Sequence, residues 1–191
     1  MEGMTRMSSD SSKTLVRDVD AVRIPSGEPM RLVAGMSVTI TQSLGGSFTV
    51  VTSSGLARIR GVDADALGLE VPVEAPAAPL PADGSVPVVD EGAVWGQLKT
   101  CFDPEIPVNI VDLGLIYDCV VEQVAGERAR VTVKMTLTAP GCGMGPVIAK
   151  EAEQKISALP GVGEALVEVV WDPPWNQSMI SEVGKMQLGM I

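Results

Sequence analysis

Residues 139–146 read APGCGMGP, a stretch that sets one thiol, Cys142, among Gly141, Gly143 and Gly145. An apolar-alternating run comes before it and a helical pattern comes after it. Backbone N–H groups at a helix start are unpaired and carry the positive end of the helix dipole. A thiolate is stabilised there, and the thiolate is the form that attacks electrophiles and binds metals. The flanking glycines let a ligand or partner approach the backbone closely. The plainer reading gives the glycines to a tight turn and leaves the thiol to fill space. The other groups that could join such chemistry are carboxylates. Asp103, Glu105 and Asp112 lie in the proline-interrupted loop DPEIPVNIVDLG (103–114). If that loop reaches the glycine loop, a carboxylate could order a water, accept a proton or ligate iron. Otherwise Asp103 and Asp112 cap turns.

The chain contains no histidine. That excludes Ser–His and Cys–His nucleophile pairs, imidazole acid–base catalysis and imidazole metal ligands. Cys101 falls on the apolar stripe of a helical run. Cys119 is in phase with Leu115, Tyr117 and Val121 in a strand pattern. Both are expected to be small buried hydrophobes. No second cysteine stands at C-x-x-C spacing from Cys142, which weakens a redox reading. In WDPPW (171–175), Trp171 and Trp175 flank Pro173 and Pro174. These residues either pack into the core or form a partner-docking patch, since exposed tryptophan often anchors interfaces.

The composition narrows the class. Apolar residues make up 46% of the chain but aromatics only 3%, so the core must rest on Val, Leu, Ile and Met. A net charge of −10 argues against nucleic acid and against an anionic membrane surface, both of which call for basic groups. No run of eighteen apolar residues is present to span a membrane. The N-terminal residues lack the apolar core of a secretory signal. Three cysteines fit a reduced compartment better than a disulfide framework. The cytoplasm is the expected location.

These residues must be positioned by two domains. Residues 1–17 are polar and small and are expected to form a disordered tail. Residues 18–70 hold short β-branched runs punctuated by PSGE, LGG and SSG, the pattern of a small all-β domain, either a barrel or a rolled sheet. Residues 71–89 carry Pro72, Pro76, Pro79, Pro81 and Pro87 and read as a semi-extended linker. Residues 90–191 alternate in type: helix, two strands, helix, strand, helix. In the second strand Val131, Val133, Met135 and Leu137 alternate with Thr132, Lys134, Thr136 and Thr138. In the following helix Ile148, Ala152, Ile156 and Leu159 form one stripe, with Pro146 in the first turn and Pro160-Gly161 as the stop. A hairpin followed by a strand–helix–strand crossover gives a mixed three-stranded sheet with helices packed on it. The fold class is therefore α/β (α+β), a two-layer domain preceded by a small all-β domain.

Two stretches resemble a known family. DPEIPVNIVDLGLIYD (103–118) is similar to the loop that opens the small domains of the phenylacetate-pathway protein PaaD and of cytosolic iron–sulfur targeting factors. LTAPGCGMGPVIAKEAEQKI (137–156) and WDPPW resemble the SufT family more specifically. RDVDAVRIPSGEPMRL (17–32) and ITQSLGGSFTVV (40–51) are similar to that family's N-terminal extension. Many relatives carry a polar neighbour after the cysteine, whereas Gly143-Met144-Gly145 follows here, as in the SufT form. The resemblance implies an iron–sulfur scaffold-like fold. It also implies an accessory or targeting role in iron–sulfur protein maturation, without enzyme activity. It places the family's reactive cysteine at Cys142 and its acidic loop at Asp103, Glu105 and Asp112. The partners implied are Suf assembly proteins and apo iron–sulfur clients, and the cofactor implied is a transient iron–sulfur cluster. Such clusters usually take four cysteine ligands. Cys142 would then share ligands with a symmetry mate in a homodimer, with a client or with a small thiol, or would bind no cluster and contact the client directly. Two competing readings are a Cys142-dependent thiol enzyme and a pure interaction adaptor.

Overall fold

A computed structural model describes residues 11–71 and 84–190. The chain divides into two compact units, Met1–Ile24 with Glu28–Pro72 and Pro25–Gly27 with Val73–Ile191. Residues 1–10 of the expected tail and most of the expected linker lie outside the described residues.

The first unit is a six-stranded sheet. Its strands are β1 (Ser12–Thr14), β2 (Val19–Arg23), β3 (Pro29–Leu32), β4 (Ser37–Leu44), β5 (Ser47–Thr52) and β6 (Gly55–Arg60). Their order is β1-β4-β5-β6-β2-β3, antiparallel throughout. Among the described residues β1 and β3 are the edges, so pairing there does not close a barrel. β1 falls where the tail was expected: Ser12–Thr14 pairs with Ser37–Thr39, and Leu15 just beyond it is buried. One apolar side chain entering the core was too weak a pattern to mark a three-residue strand. The β4–β5 turn uses Gly45 and Gly46, both at positive φ (61° and 75°), which suits a tight hairpin. Leu32, Val50, Ala57 and Ile59 form the centre of the core, and a 3₁₀ turn at Gly61–Leu67 adds Ala64, Ala66 and Leu67.

The second unit carries the candidate site. Its elements are α1 (Glu91–Leu98), β7 (Ile116–Glu122), β8 (Ala129–Met135), α2 (Gly145–Ser157), β9 (Val162–Val169) and α3 (Glu182–Gln187). The order of types matches the sequence pattern. β8 is central, antiparallel to β7 and parallel to β9. Val131, Val133 and Met135 are fully buried while Lys134 is exposed, so the two-residue period reports one covered and one open sheet face. Ile148, Ala152 and Ile156 of α2 are fully buried as well. α1 buries Val94 and Leu98 and is capped by Asp90, whose carboxylate accepts from the Gly92 N–H at 3.2 Å. The end of the proline-rich stretch is fastened down. The Gln123 side chain accepts from the Val89 N–H (2.8 Å) and donates to the carbonyls of Pro87 (2.9 Å) and Glu127 (3.0 Å).

Ile148→Ala should cost about 2–5 kcal/mol, the range for truncating a buried Ile. Trp95, Trp171 and Trp175 all lie in the second unit, so tryptophan fluorescence reads that unit alone. The expected result is a urea midpoint lowered by about 1–2.5 M, for a slope of about 2 kcal/mol/M.

Candidate functional site

The glycine loop leaves the end of β8 and enters α2. Leu137 is buried, and its side chain closes the loop's base: a Cβ on Gly145 would fall 2.4 Å from Leu137 Cδ1. Gly141 has φ 81°, a left-handed value that glycine adopts at no cost. The Cys142 N–H donates to the Ala139 carbonyl at 3.4 Å, and the Cys142 carbonyl accepts from the Gly145 N–H at 3.2 Å. The helix begins at Gly145, three residues after Cys142, with Met144 in the N-cap position and Pro146 in its first turn. Met144 offers no side-chain cap, so the first N–H groups of α2 have no side-chain acceptor from that position. Cys142 itself is half-buried, neither sealed in the core nor fully in solvent.

The other two cysteines differ. Cys101 is fully buried, and its Sγ lies 3.8 Å from the Gln97 carbonyl it donates to. Cys119 is half-buried on β7 opposite Val133. Burial pushes its thiol up to about 11, and the carboxylates of Glu91 and Asp118 act in the same direction.

Two of the three acidic residues, Asp103 and Asp112, are employed structurally. Asp103 is buried, and one of its carboxylate oxygens accepts from the N–H groups of Glu105 (2.8 Å) and Ile106 (3.0 Å), closing the turn at Pro104. Glu105 is exposed. Asp112 accepts from Asn109 Nδ2 (2.6 Å) and from Ser181 Oγ (2.8 Å). Among the described residues, no group of three or more His, Cys, Asp or Glu side chains could hold a metal ion. Cys142, Asp103, Glu105 and Asp112 are therefore not gathered into one donor set.

Sequence reasoning missed how this loop is held. Asn109 is buried, and its carbonyl oxygen accepts from the N–H groups of Val111 (3.1 Å) and Asp112 (2.9 Å). The C-terminal segment then straps the loop down. Trp175 Nε1 donates to the Leu113 carbonyl (2.8 Å), Tyr117 Oη to the Pro173 carbonyl (2.7 Å), and the Ser181 N–H to the Asp112 carbonyl (2.8 Å). Gly114 is required where the strap crosses: a Cβ there would lie 2.2 Å from the Met179 carbonyl oxygen, and its φ is 71°. WDPPW thus splits in role. Trp175 is half-buried and spent on the chain itself, while Trp171, Pro173 and Pro174 are exposed. The available signal was the pattern N-x-x-D followed by glycine, together with the capping serine Ser181.

Residues 91–168, which hold α1 through β9 and include Cys142 and the acidic loop, match the family described as iron-sulfur cluster assembly protein. The chain is 42% identical over 95 residues to a Fe-S protein maturation auxiliary factor of Porphyromonas gingivalis, covering 50% of this chain and 87% of that protein. This chain belongs to the iron–sulfur cluster assembly protein family. It is also 37% identical over 97 residues to the Fe-S protein maturation auxiliary factor YitW of Bacillus subtilis (51% and 91% covered). To the Fe-S protein maturation auxiliary factor SufT of Staphylococcus aureus it is 39% identical over 88 residues (46% and 96% covered). The family match ends at residue 168, so the strap lies beyond the matched span.

Two outcomes are expected. Under iodoacetamide at pH 8, peptide mapping should show Cys142 labelled first and Cys101 only on unfolding. Cys119 should lag, because a thiol at about 11 is ionised to only roughly one part in a thousand at that pH. Its labelling should accelerate as the pH rises towards 11. Ser181→Ala removes both the cap on α3, where Ser181 Oγ accepts from the Gly184 N–H at 3.0 Å, and the donor to Asp112. A lost cap is worth about 1–2 kcal/mol, so hydrogen exchange at the Gly184 amide should speed up roughly 5- to 30-fold.

Proposed function

We propose that this chain serves iron–sulfur protein maturation as a cytoplasmic auxiliary factor and that it acts through Cys142. One contrast carries the reading. Of three cysteines, Cys101 is sealed in the core and Cys119 has its thiol pushed up to about 11, whereas Cys142 is half-buried in a glycine loop at a helix start. That loop lies inside the family-matched span.

The role proposed is accessory and not enzymatic. A nucleophilic thiol enzyme needs a base to accept the thiol proton and a partner to orient that base. The chain has no histidine to serve as that base, and Asp103 and Asp112 are engaged in hydrogen bonds of their own loop. A resident cluster does not fit either, because its four thiolate ligands have no counterpart here. What fits is a single thiolate contributed to a shared arrangement. A transient cluster would take Cys142 as one ligand and complete its set from an apo-client, a second copy of this chain or a small thiol. Asp103 and Asp112 are occupied in turns and in the strap, so they are not offered as ligands. Suf assembly proteins and apo iron–sulfur clients are the partners this role requires, and exposed Trp171 with Pro173 and Pro174 gives them a rigid contact point.

Cys142→Ser should leave the urea midpoint unchanged, since a half-buried thiol in a loop contributes little packing. The same variant should fail to restore iron–sulfur enzyme activities in cells lacking the wild-type protein. Full complementation by Cys142→Ser would remove the thiol from the proposed role.

A further inference from the structure

In the second unit α2 packs against β9, and the sheet face that carries the exposed side chains of β7, β8 and β9 is patterned. Cross-strand register places Asp118, Lys134 and Glu168 in one row, Val120, Thr132 and Leu166 in the next, and Glu122, Arg130 and Glu164 in a third. Val120 and Leu166 are 41% and 44% exposed, although they are large and apolar. The four carboxylates are exposed and stand at the corners of a rectangle. Its sides are about 10 Å across three strands and about 13 Å along four residues of strand. The two cations lie on the midline, and Arg130 already pairs with Glu164 at 2.7 Å. The face therefore carries a net charge of −2 around an apolar bar. At the Lys134 end it runs into an open depression of about 680 Å³ lined by Gly114, Tyr117, Pro173 and Met179.

We infer that this open face is a docking surface for a basic amphipathic helix of a partner protein. A second copy of the chain does not suit it, because stacking the face on itself sets acidic corners against acidic corners, and like charges in contact are repulsive. A helix suits the dimensions. Its diameter with side chains is about 10 Å, and two turns advance it by about 11 Å. Lysine or arginine on both flanks, two turns apart, would then meet the four carboxylates. A leucine on the inward stripe would cover Val120 and Leu166, and the helix end would seat in the depression. The midline cations lie beneath the helix and can run their alkyl stems along it. The surface does not involve Cys142, so its test is independent of the role proposed for that thiol.

The test uses the full chain and three fluorescein-labelled 15-residue helical peptides, with binding read by anisotropy. The first peptide has a leucine stripe flanked by lysines, the second replaces each lysine by glutamate, and the third scrambles the first. The first should bind saturably, and more weakly as salt is raised. The other two should bind at least about tenfold more weakly, the change expected from losing one well-seated anchor. Asp118→Lys should weaken binding and Lys134→Glu should strengthen it. Leu166→Ser should weaken it without changing charge. Opposite signs for the two charge variants cannot arise from unfolding. The inference is overturned by absence of saturable binding, by equal binding of the scrambled peptide, by both charge variants shifting affinity the same way, or by unchanged affinity in Leu166→Ser.

Discussion

The second unit depends on one pairing, that of β8 with β9 in parallel. Parallel neighbours cannot be joined by a tight turn, so the chain must leave β8, cross the sheet as a helix and return. The crossing is paid for by the α2 stripe of Ile148, Ala152 and Ile156, fully buried like Val131, Val133 and Met135 on the covered face of β8. Each large apolar side chain buried there stabilises by roughly 1.5–3 kcal/mol. The position of Cys142 follows from this geometry. The chain must turn between the end of β8 and the start of α2, and glycine at 141 and 145 meets two local demands of that turn, a left-handed φ and the close approach of Leu137. Cys142 is thus held by its backbone hydrogen bonds to Ala139 and Gly145, in a loop fixed by core packing on either side.

The acidic loop answers a different constraint. Pro104 and Pro107 break any regular ladder across 103–114, yet the segment is largely buried, so its N–H groups must find acceptors. Asp103 and Asn109 supply them from their side chains. Asp112 ties the loop to Ser181, and Trp175 closes it from the C-terminal side. Two of the candidate ligands, Asp103 and Asp112, belong to a hydrogen-bonded network that lets an irregular, proline-containing segment be buried. The two uses of a carboxylate compete, since an oxygen accepting from two backbone N–H groups, as at Asp103, has little left to offer a metal.

Much of the fold was legible because its signals are local and periodic. Val131 through Leu137 alternate cleanly, and the α2 stripe, Pro146 and Pro160-Gly161 marked a helix with both ends. The hairpin glycines at 45 and 46 announced their turn by their need for positive φ. What was not legible depends on contacts between residues distant in sequence. Ser12–Thr14 has no pattern of its own and is a strand only because β4 offers an edge. Trp175 could be read either as core packing or as half of a docking patch, and nothing nearby in the sequence reveals that Leu113 carries its acceptor. The candidate site was legible to the same extent. Cys142 stood out by its loop and its place before a helix, whereas the separation of the carboxylates from it is a tertiary fact.

The arrangement of the three thiols bears on the proposed role of Cys142 as a single ligand. A site that gathers several thiolates in one fixed pocket binds tightly because the second and later ligands are already in place, an effective-concentration gain that also slows release. Here the gain is absent within the chain: Cys101 is enclosed, Cys119 stays protonated near neutral pH with its thiol at about 11, and only Cys142 is left to contribute. Under the proposed role, the remaining ligands come from outside. The affinity for any cluster is then set by the partner that brings them, and it falls when that partner leaves. In that role the chain would favour transfer over storage. The same logic assigns recognition to surfaces away from the thiol, because one ligand bond carries almost no information about which client is present.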